Sequence, residues 1–227
     1  MKTILIYSGG LDSTTLLYKL KAEGREVKAL SINYGQKHIK ELAAAEKICA
    51  TLGVEFKVVD LSGIKSLLRG SSQTDDSVVV PDGHYAEDVM KKTIVSNRNM
   101  IMLAVAGAWA ISERADTIAY AAHAGDHAIY PDCREEFVAP LNQAMQNADW
   151  HSVSIERPFI ATTKTGIVQA GAALNVPFGE TWSCYKGGEK HCGTCGTCYE
   201  RREAFVEAGV NDPTEYVDST TKFAVPV

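Results

Sequence analysis

The sequence lacks the features that would place a protein in a membrane or on a nucleic acid. No stretch approaches the ~20 consecutive apolar residues that a membrane-spanning helix requires, and the N-terminus runs directly into a strand-like segment without a secretory signal pattern. Basic residues are outnumbered by acidic residues, 23 against 28, which gives a net charge of −5. Because domains that bind nucleic-acid backbones are usually strongly basic, we expect neither a nucleic-acid partner nor a membrane partner. The expected location is cytoplasmic.

Internal repeats and low-complexity tracts are also missing, and the remaining composition is that of a globular protein. Of the 227 residues, 45% are hydrophobic and 22% are charged, so a core of ordinary size can form. This length suits one large domain or a domain with an appendage. We predict an α/β domain over residues 1–176 and a cysteine-rich segment with a C-terminal helix over residues 177–227, packed on the same domain.

Short apolar runs alternate with helix-like patterns along most of the chain. The predicted strands are residues 4–7, 26–34, 54–61, 117–123 and 153–159. The predicted helices begin at or near residues 11, 38, 97, 135, 164 and 199. This order predicts a doubly wound parallel sheet of Rossmann-like type with right-handed crossovers. The alternation of strands and helices breaks down in residues 62–85, which predicts a long mobile loop. In a compact domain, such a loop is usually a functional lid or is disordered.

The first strand-to-helix turn, Ser8-Gly9-Gly10-Leu11-Asp12-Ser13-Thr14, predicts an anion site. It lacks the Gly-Lys-Ser/Thr that closes a Walker A loop. Its glycines let the backbone approach a ligand closely, and the start of the helix supplies N–H groups and a partial positive charge. Asp12 would repel a phosphate unless a cation lay between them, and Mg²⁺ held by one carboxylate and phosphates resolves this. A plain strand-to-helix joint is the alternative.

Four of the six cysteines crowd into fifteen residues, which predicts a metal site. The spacing is C-x7-C-x2-C-x2-C, and the two C-x2-C pairs let the thiolates converge. Four thiolates are typical of structural zinc, whereas a [4Fe–4S] cluster uses the same ligand number. Catalytic sulfur-carrying thiols are a third interpretation. The predicted ligands are Cys184, Cys192, Cys195 and Cys198.

A dense polar segment follows the fourth predicted strand. Ligands of open parallel sheets bind beyond the carboxyl ends of the strands, so this segment is expected to face the same crevice as the glycine turn. An aromatic ring, carboxylates and an arginine suit a purine-like base, although a solvated loop is the simpler alternative. The candidate substrate residues are His123, Asp126, Tyr130, Asp132 and Arg134. Two further cations, Arg98 and Lys164, are candidates for contacting phosphates or a substrate carboxylate.

The string S-G-G-x-D-S-T resembles the loop of the N-type ATP pyrophosphatases (PP-loop enzymes), which cleave ATP between its α and β phosphates. The resemblance implies an adenine nucleotide alpha hydrolase-like fold and ATP as co-substrate with Mg²⁺. It implies catalytic roles for Ser8, Asp12, Ser13 and Lys164. The implied nucleotide-binding residues are Ser8, Gly9, Gly10, Leu11, Asp12, Ser13, Thr14, Thr15, Leu16, Leu17, Tyr18 and Arg98.

Further blocks, among them "SINYGQKH", "SNRNMIMLA", "GDHAIYPDCREEF" and "HCGTCGTC", are similar to the 7-cyano-7-deazaguanine synthase family over nearly the whole chain. The resemblance implies a ligase that joins 7-carboxy-7-deazaguanine, ammonia and ATP through adenylated intermediates, one structural Zn²⁺ per chain, and a homodimer. No glutaminase-like segment follows the fifth strand, which favours free ammonia. Ser96 and Asn97 replace an expected Pro-Gly before Arg98, which affects the assignment of Arg98.

Two other functions remain open at the level of sequence. A tRNA-thiolating ATP pyrophosphatase shares the loop, although the net charge of −5 disfavours it. A non-catalytic zinc-knuckle module that binds ATP as a structural ligand is the alternative outside enzymes. ATP–pyrophosphate exchange distinguishes the three, because a synthase needs its acid substrate, a thiolase needs tRNA and a binding module shows no exchange.

Overall fold

The computed structural model describes residues 1–84 and 88–220 and has at its centre a five-stranded parallel sheet. The strand order is β3-β2-β1-β4-β5. The strands are β1 (Lys2–Ile6), β2 (Glu26–Asn33), β3 (Glu55–Asp60), β4 (Thr117–Ala119) and β5 (Ser154–Glu156). The fold class is therefore the predicted doubly wound α/β sheet.

Helices connect and flank the strands. They are α1 (Leu11–Ala22), α2 (Lys40–Leu52), α3 (Arg98–Ser112), α4 (Asp126–Ile129), α5 (Glu135–Gln146), α6 (Lys164–Ala173) and α7 (Gly196–Ala208). Short 3-10 helices cover Ser62–Leu67, Asp88–Thr93, Pro131–Cys133 and Phe178–Glu180. In the described part of the chain, no helix has both the length and the apolar character needed to cross a bilayer.

The order of the strands places a crevice beside β1. From β1 the chain winds outward through β2 to β3, then returns across the sheet to pair β4 with the other side of β1. At such a reversal the loops after the two adjacent strands diverge and leave a ligand-sized gap at their carboxyl ends. The glycine turn after β1 and the polar segment after β4 therefore meet at the same edge.

Alternating side chains of β1 supply both faces of the sheet with a core. Ile4 joins a buried cluster with Leu103 of α3, whereas its neighbour Leu5 joins a cluster with Leu16 of α1 and Ile167 of α6. Successive strand residues point to opposite faces, and a parallel sheet with helices on both sides buries them all. All five of these side chains are completely buried.

The fourth and fifth strands are shorter than the runs that predicted them. Pairing of β4 with β1 ends at Ala119, opposite Leu5, and the chain then turns so that residues 120–123 border the crevice. β5 ends at Glu156, two residues before Pro158, which cannot donate to a ladder hydrogen bond. The apolar character of residues beyond these ends reflects packing against other elements, not strand pairing.

Residues 62–84 pack against the domain and do not form the free loop that was expected. Gln73 is completely buried, its side-chain amide donates to the carbonyl of Thr93 at 2.8 Å, and its own carbonyl accepts from the N–H of Lys37 at 2.9 Å. Ser72 donates its N–H to the carbonyl of Lys92 at 2.7 Å. Backbone bonding of this kind allows a polar segment to be buried. The predicted end of this loop, Tyr85, lies outside the described residues.

Candidate active site

A cleft with a cavity of about 220 Å³ opens at the carboxyl ends of β1, β2 and β4. Six parts of the chain contribute walls: the turn after β1, the starts of α2, α3 and α6, the segment after β4, and the cysteine-rich segment. Of the residues predicted from sequence, those that line it are Ser8, Gly10, Leu11, Asp12, Ser13, Arg98, His123, Asp126, Tyr130 and Lys164.

The turn after β1 has the geometry that its glycines predict. Gly9 adopts φ +78°, and a Cβ there would lie 2.5 Å from the carbonyl oxygen of Glu41 in α2. Only glycine fits this left-handed position and close approach. Gly10 is the N-cap of α1 and contributes no side-chain cap. The first N–H groups of a helix lack intrahelical partners, so this end of α1 attracts an anion.

Two hydroxyl groups are held at the mouth of this turn. The Ser8 and Ser13 hydroxyl oxygens lie 3.0 Å apart, and Ser8 Oγ accepts the N–H of Gly10 at 3.2 Å. Ser8 and Ser13 therefore hold each other in place at the cleft and can turn their hydroxyl protons toward a ligand. This is the arrangement expected of a phosphate-binding turn.

Beside the turn, Lys164 forms a buried ion-pair network. Its ammonium lies 2.6 Å from Asp12 Oδ2 and 3.2 Å from Glu200 Oε2, and His123 Nε2 lies 3.8 Å from the other oxygen of Glu200. Burial disfavours the charged carboxylate of Asp12, but Lys164, together with His123 and Arg201, outweighs it and the pKa of Asp12 is lowered. Burial also opposes the charge on Lys164, yet the carboxylates raise its pKa. The network therefore keeps Asp12 ionised beside the turn.

One oxygen of Asp12 is available for a cation. Asp12 Oδ1 is buried and has no hydrogen-bond partner in the described residues, whereas Oδ2 is taken by Lys164. Magnesium is commonly held by one or two carboxylates together with substrate phosphates. The donor set at Asp12 thus fits a Mg²⁺ that arrives with a nucleotide.

Aromatic rings surround the guanidinium of Arg98 at another part of the cleft. Arg98 Cζ lies 5.8 Å from the centre of the Tyr130 ring, and the Tyr130 hydroxyl lies 2.8 Å from Thr93 Oγ1. Burial alone would lower the pKa of Arg98, but the nearby Tyr34 and Tyr185 phenols help to raise it well above its usual value. A permanently charged, planar group among rings suits a planar anionic ligand.

Several predicted nucleotide residues lie behind the turn and not at the cleft. The Thr14 hydroxyl contacts the Tyr7 hydroxyl at 3.1 Å, and the Thr15 hydroxyl donates to the Leu11 carbonyl at 2.9 Å. Leu16 and Leu17 are completely buried in the core, Tyr18 packs against that core, and Gly9 faces α2. These side chains support α1, and a nucleotide role for them stays a prediction.

Two predicted substrate residues have structural partners instead of lining the cleft. Asp132 Oδ2 accepts the backbone N–H of Asn99, at the start of α3, at 3.2 Å. Arg134 Nε donates to the carbonyl of His127 at 2.9 Å. Asn99 and Cys133, their neighbours in space and sequence, do line the cleft. Burial raises the pKa of the Cys133 thiol to about 12, so it stays protonated.

The four predicted metal ligands converge. One sulfur from each of Cys184, Cys192, Cys195 and Cys198 lies within 4.8 Å of all the others, and the Cys192 and Cys198 sulfurs are 3.8 Å apart. A tetrahedron with metal–sulfur bonds of ~2.3 Å needs sulfurs about 3.8 Å apart. The N–H of Cys195 also donates to the Cys192 sulfur at 3.2 Å. This donor set could hold a metal ion.

The cysteine-rich segment also forms a wall of the cleft, which the sequence did not reveal. The N–H of Trp182 donates to the carbonyl of Gly9 at 3.0 Å, which ties this segment directly to the turn. α7 begins within the cysteine cluster and places Glu200 against Lys164. Residues that line the cleft without having been predicted as site residues include Tyr34, Glu41, Gln73, Trp182, Tyr185 and Glu200. No spacing or periodicity in the sequence marks Glu200 as a site residue.

Comparison with solved structures identifies other proteins that share this fold. The U34-tRNA thiolase NcsA of Methanococcus maripaludis aligns with a TM-score of 0.51 and 17% identity over 78% of this chain and 58% of that chain. A 4-thiouridine synthetase, solved with RNA and bound ATP, aligns with a TM-score of 0.50 and 16% identity over 77% of this chain and 41% of that one. Identities this low establish a shared fold only.

Sequence relatives are far closer. A 7-cyano-7-deazaguanine synthase of Rhizobium rhizogenes is 53% identical over 220 residues, which is 96% of this chain and 93% of the relative. The enzyme of that name from Methanoregula boonei is 51% identical over 216 residues, 95% of this chain and 99% of the relative. The family model described as queuosine biosynthesis protein QueC matches residues 2–209. The chain belongs to the QueC family.

Proposed function

We propose that the protein is an ATP-dependent ligase that converts 7-carboxy-7-deazaguanine and ammonia to 7-cyano-7-deazaguanine, with AMP and diphosphate as the nucleotide products. The observation that carries this proposal is the turn after β1, whose anion-binding end opens into the same cleft as Lys164, Arg98 and several aromatic rings. The names of the close relatives supply the substrate class.

The turn and the start of α1 would bind the β and γ phosphates of ATP. The hydroxyls of Ser8 and Ser13 and the N–H groups of the first turn of α1 are donors fixed before the ligand arrives. Such preorganised donors stabilise charge that develops on a leaving group more effectively than water does. Diphosphate would therefore leave readily when a nucleophile attacks the α-phosphorus.

Asp12 and Lys164 would act next to this leaving group. Asp12 Oδ1 would help to hold Mg²⁺, which supplies charge neutralisation for the phosphates. Lys164, held by Asp12 and Glu200, places its positive charge at the cleft, where a substrate carboxylate and the α-phosphate must meet. Asp12 and Glu200, which pair with Lys164, are both largely buried. They therefore hold its ammonium in one position.

The chemistry would run twice at the same place. In the first round the substrate carboxylate attacks the α-phosphorus, diphosphate leaves, and ammonia then displaces AMP from the acyl adenylate to give an amide. In the second round the amide oxygen attacks the α-phosphorus of a second ATP and diphosphate leaves, after which loss of AMP and of both N–H protons leaves the nitrile. Free ammonia is the proposed nitrogen source. His123, Asp126 and Tyr130, which line the cleft, are proposed to contact the deazaguanine.

The cysteine cluster would hold one structural zinc ion. Four converging sulfurs with N–H···S support fit tetrahedral zinc, and a closed four-thiolate site leaves no open position for substrate. Bound metal would stabilise the segment that carries Trp182 and Glu200 to the cleft. We further propose a domain boundary near residue 176, a homodimer, a cytoplasmic location and only small-molecule substrates.

Product analysis on the purified protein tests the proposed function. With ATP, Mg²⁺, ammonium and 7-carboxy-7-deazaguanine, we expect AMP to form in a twofold ratio to the nitrile, and diphosphate exchange into ATP to require the carboxylate substrate. A one-to-one ratio would exclude the two-round scheme. Exchange that depended on tRNA in place of the acid would support a thiolase. Labelled glutamine that supports turnover as well as ammonium does would exclude free ammonia as the source.

A further inference from the structure

The cleft contains a carboxyl group that the proposed chemistry does not use. Glu41, at the start of α2, lines the cleft, and its Oε1 accepts the side-chain amide of Gln36 at 3.1 Å. Its Oε2 lies 3.5 Å from Nε2 of His38. Both neighbours come from the segment between β2 and α2, so this group is built by one short stretch of chain beside the turn.

Glu41 differs from the other carboxylates of the cleft in lacking a strong partner. Asp12 and Glu200 are paired with Lys164, and Asp126 accepts the backbone N–H of His123 at 3.0 Å. In the described part of the chain, no lysine or arginine nitrogen lies within ion-pair distance of Glu41. Burial therefore raises its pKa to about 8, although the Gln36 amide and the charge of Arg98 oppose the rise. Such a carboxyl gains strongly from any ligand that donates hydrogen bonds to it.

A second observation at the same place points to a polar ligand. His38 is 4% exposed and lines the cleft, yet its Nδ1 has no hydrogen-bond partner in the described residues. Buried polar atoms are nearly always partnered, so an orphan at a cleft wall marks a place where a ligand atom belongs. The ring of Tyr185 lies 5.2 Å from that of His38, inclined by 37°, and supplies an aromatic surface beside both groups.

These features match the edge of a guanine-type ring. That edge presents a ring N–H next to an exocyclic amine. Hydrogen bonds from these two donors favour the ionised form of Glu41, and the two oxygens of a carboxylate can accept both hydrogens. We infer that Glu41 binds the N–H and 2-amino edge of the deazaguanine substrate, with His38 positioning its carboxylate, and so determines selection for the 2-amino group. This inference rests on the proposed function and extends it to recognition of the base.

The experiment compares two substrates across matched variants. One substrate is 7-carboxy-7-deazaguanine and the other is the same acid without its 2-amino group. The variants are Glu41→Gln and, as the control on the exposed face of α2, Glu46→Gln. AMP formation gives kcat/KM for each acid, and the KM for ATP reports whether the rest of the cleft is intact.

We expect the unaltered protein and Glu46→Gln to lose about 10- to 100-fold in kcat/KM when the amine is removed, the loss typical of a charged hydrogen bond. Glu41→Gln should lose a similar factor on the full substrate, but removal of the amine should then change kcat/KM less than about threefold. Its KM for ATP should not change. Glu41→Asp, which keeps the charge, should retain a preference for the amine.

An unchanged ratio of kcat/KM between the two acids in Glu41→Gln would overturn the inference. That ratio would stay unchanged whether the variant kept its activity or lost it on both acids by the same factor, as a purely structural residue would. Failure of the proposed function has a different signature. In that case the unaltered protein would form AMP with neither acid.

Discussion

Replacing Lys164 with methionine tests the electrostatic centre of the site. The substitution keeps most of the side-chain length but removes the charge that lies 2.6 Å from Asp12 and 3.2 Å from Glu200. At an effective dielectric constant of about 20, these attractions amount to about 6 and 5 kcal/mol. The cost of burying the ammonium offsets much of that sum. Breaking such a buried pair typically costs about 3–5 kcal/mol of unfolding free energy.

The unfolding free energy that Lys164→Met loses should depend on pH in a defined direction. In the intact protein, the pKa of Asp12 is lowered, so its contribution to stability is present above the unfolded pKa and is lost as the pH falls through the folded pKa. Without Lys164, the burial that disfavours charge on Asp12 is opposed only by His123 and Arg201, so the pKa of Asp12 rises. The unpaired carboxylate then destabilises the folded state more as the pH rises, so Lys164→Met should lose more stability at pH 8 than at pH 5.

Urea unfolding at pH 5 and pH 8, on proteins with matched metal content, measures the loss of unfolding free energy. Lys47→Met is the control, because Lys47 lies 3.0 Å from Glu180 but is 65% exposed, and such surface pairs contribute ~1 kcal/mol or less. Adding Asp12→Asn to Lys164→Met should recover part of the loss. A loss below 1 kcal/mol, or an equal loss at both pH values, would refute this account of the network.

Three other substitutions, with one control, probe the turn and the cysteine-rich segment. Gly9→Ala should abolish diphosphate exchange, because its Cβ would meet the backbone of α2 at 2.5 Å. The control Gly24→Ala has φ +73° but open space around its Cβ, so it should lower the free energy of unfolding in urea by only about 1–2 kcal/mol. Arg201→Met removes a fully buried guanidinium that donates to Thr181 Oγ1 and the Phe178 carbonyl at 2.8 and 2.9 Å, and should cost about 3 kcal/mol or more in the same assay. Cys192→Ser should lower both the metal content per chain and the thermal midpoint; unchanged values would exclude a ligand role.

The parts of the fold and site that sequence could predict are those determined by local pattern. The turn from Ser8 to Ser13 and the convergence of the C-x2-C pairs each depend on residues within a few positions of one another. The extents of β4 and β5 could not be read in this way, because the partner strand determines where pairing stops. The burial of Gln73 was equally hidden, since its partners, near residues 37 and 93, are distant in sequence.

The cleft itself combines segments that the sequence keeps apart. Glu200 is 36 residues from Lys164 and reaches it only because α7 packs on α6. Trp182 reaches the turn through one backbone hydrogen bond to Gly9. Neither contact has a periodicity or spacing signal, so the sequence predicted a cysteine-rich segment packed on the domain but not that this segment forms a wall of the site.

The fate of the carboxylate oxygens tests the central claim most directly, which is that the turn after β1 releases diphosphate while AMP is transferred. With 7-carboxy-7-deazaguanine carrying ¹⁸O in both carboxylate positions, each of the two AMP molecules formed per nitrile should carry one labelled oxygen, and the diphosphate none. Mass spectrometry of the products decides this. Formation of ADP, or label in orthophosphate, would contradict the account.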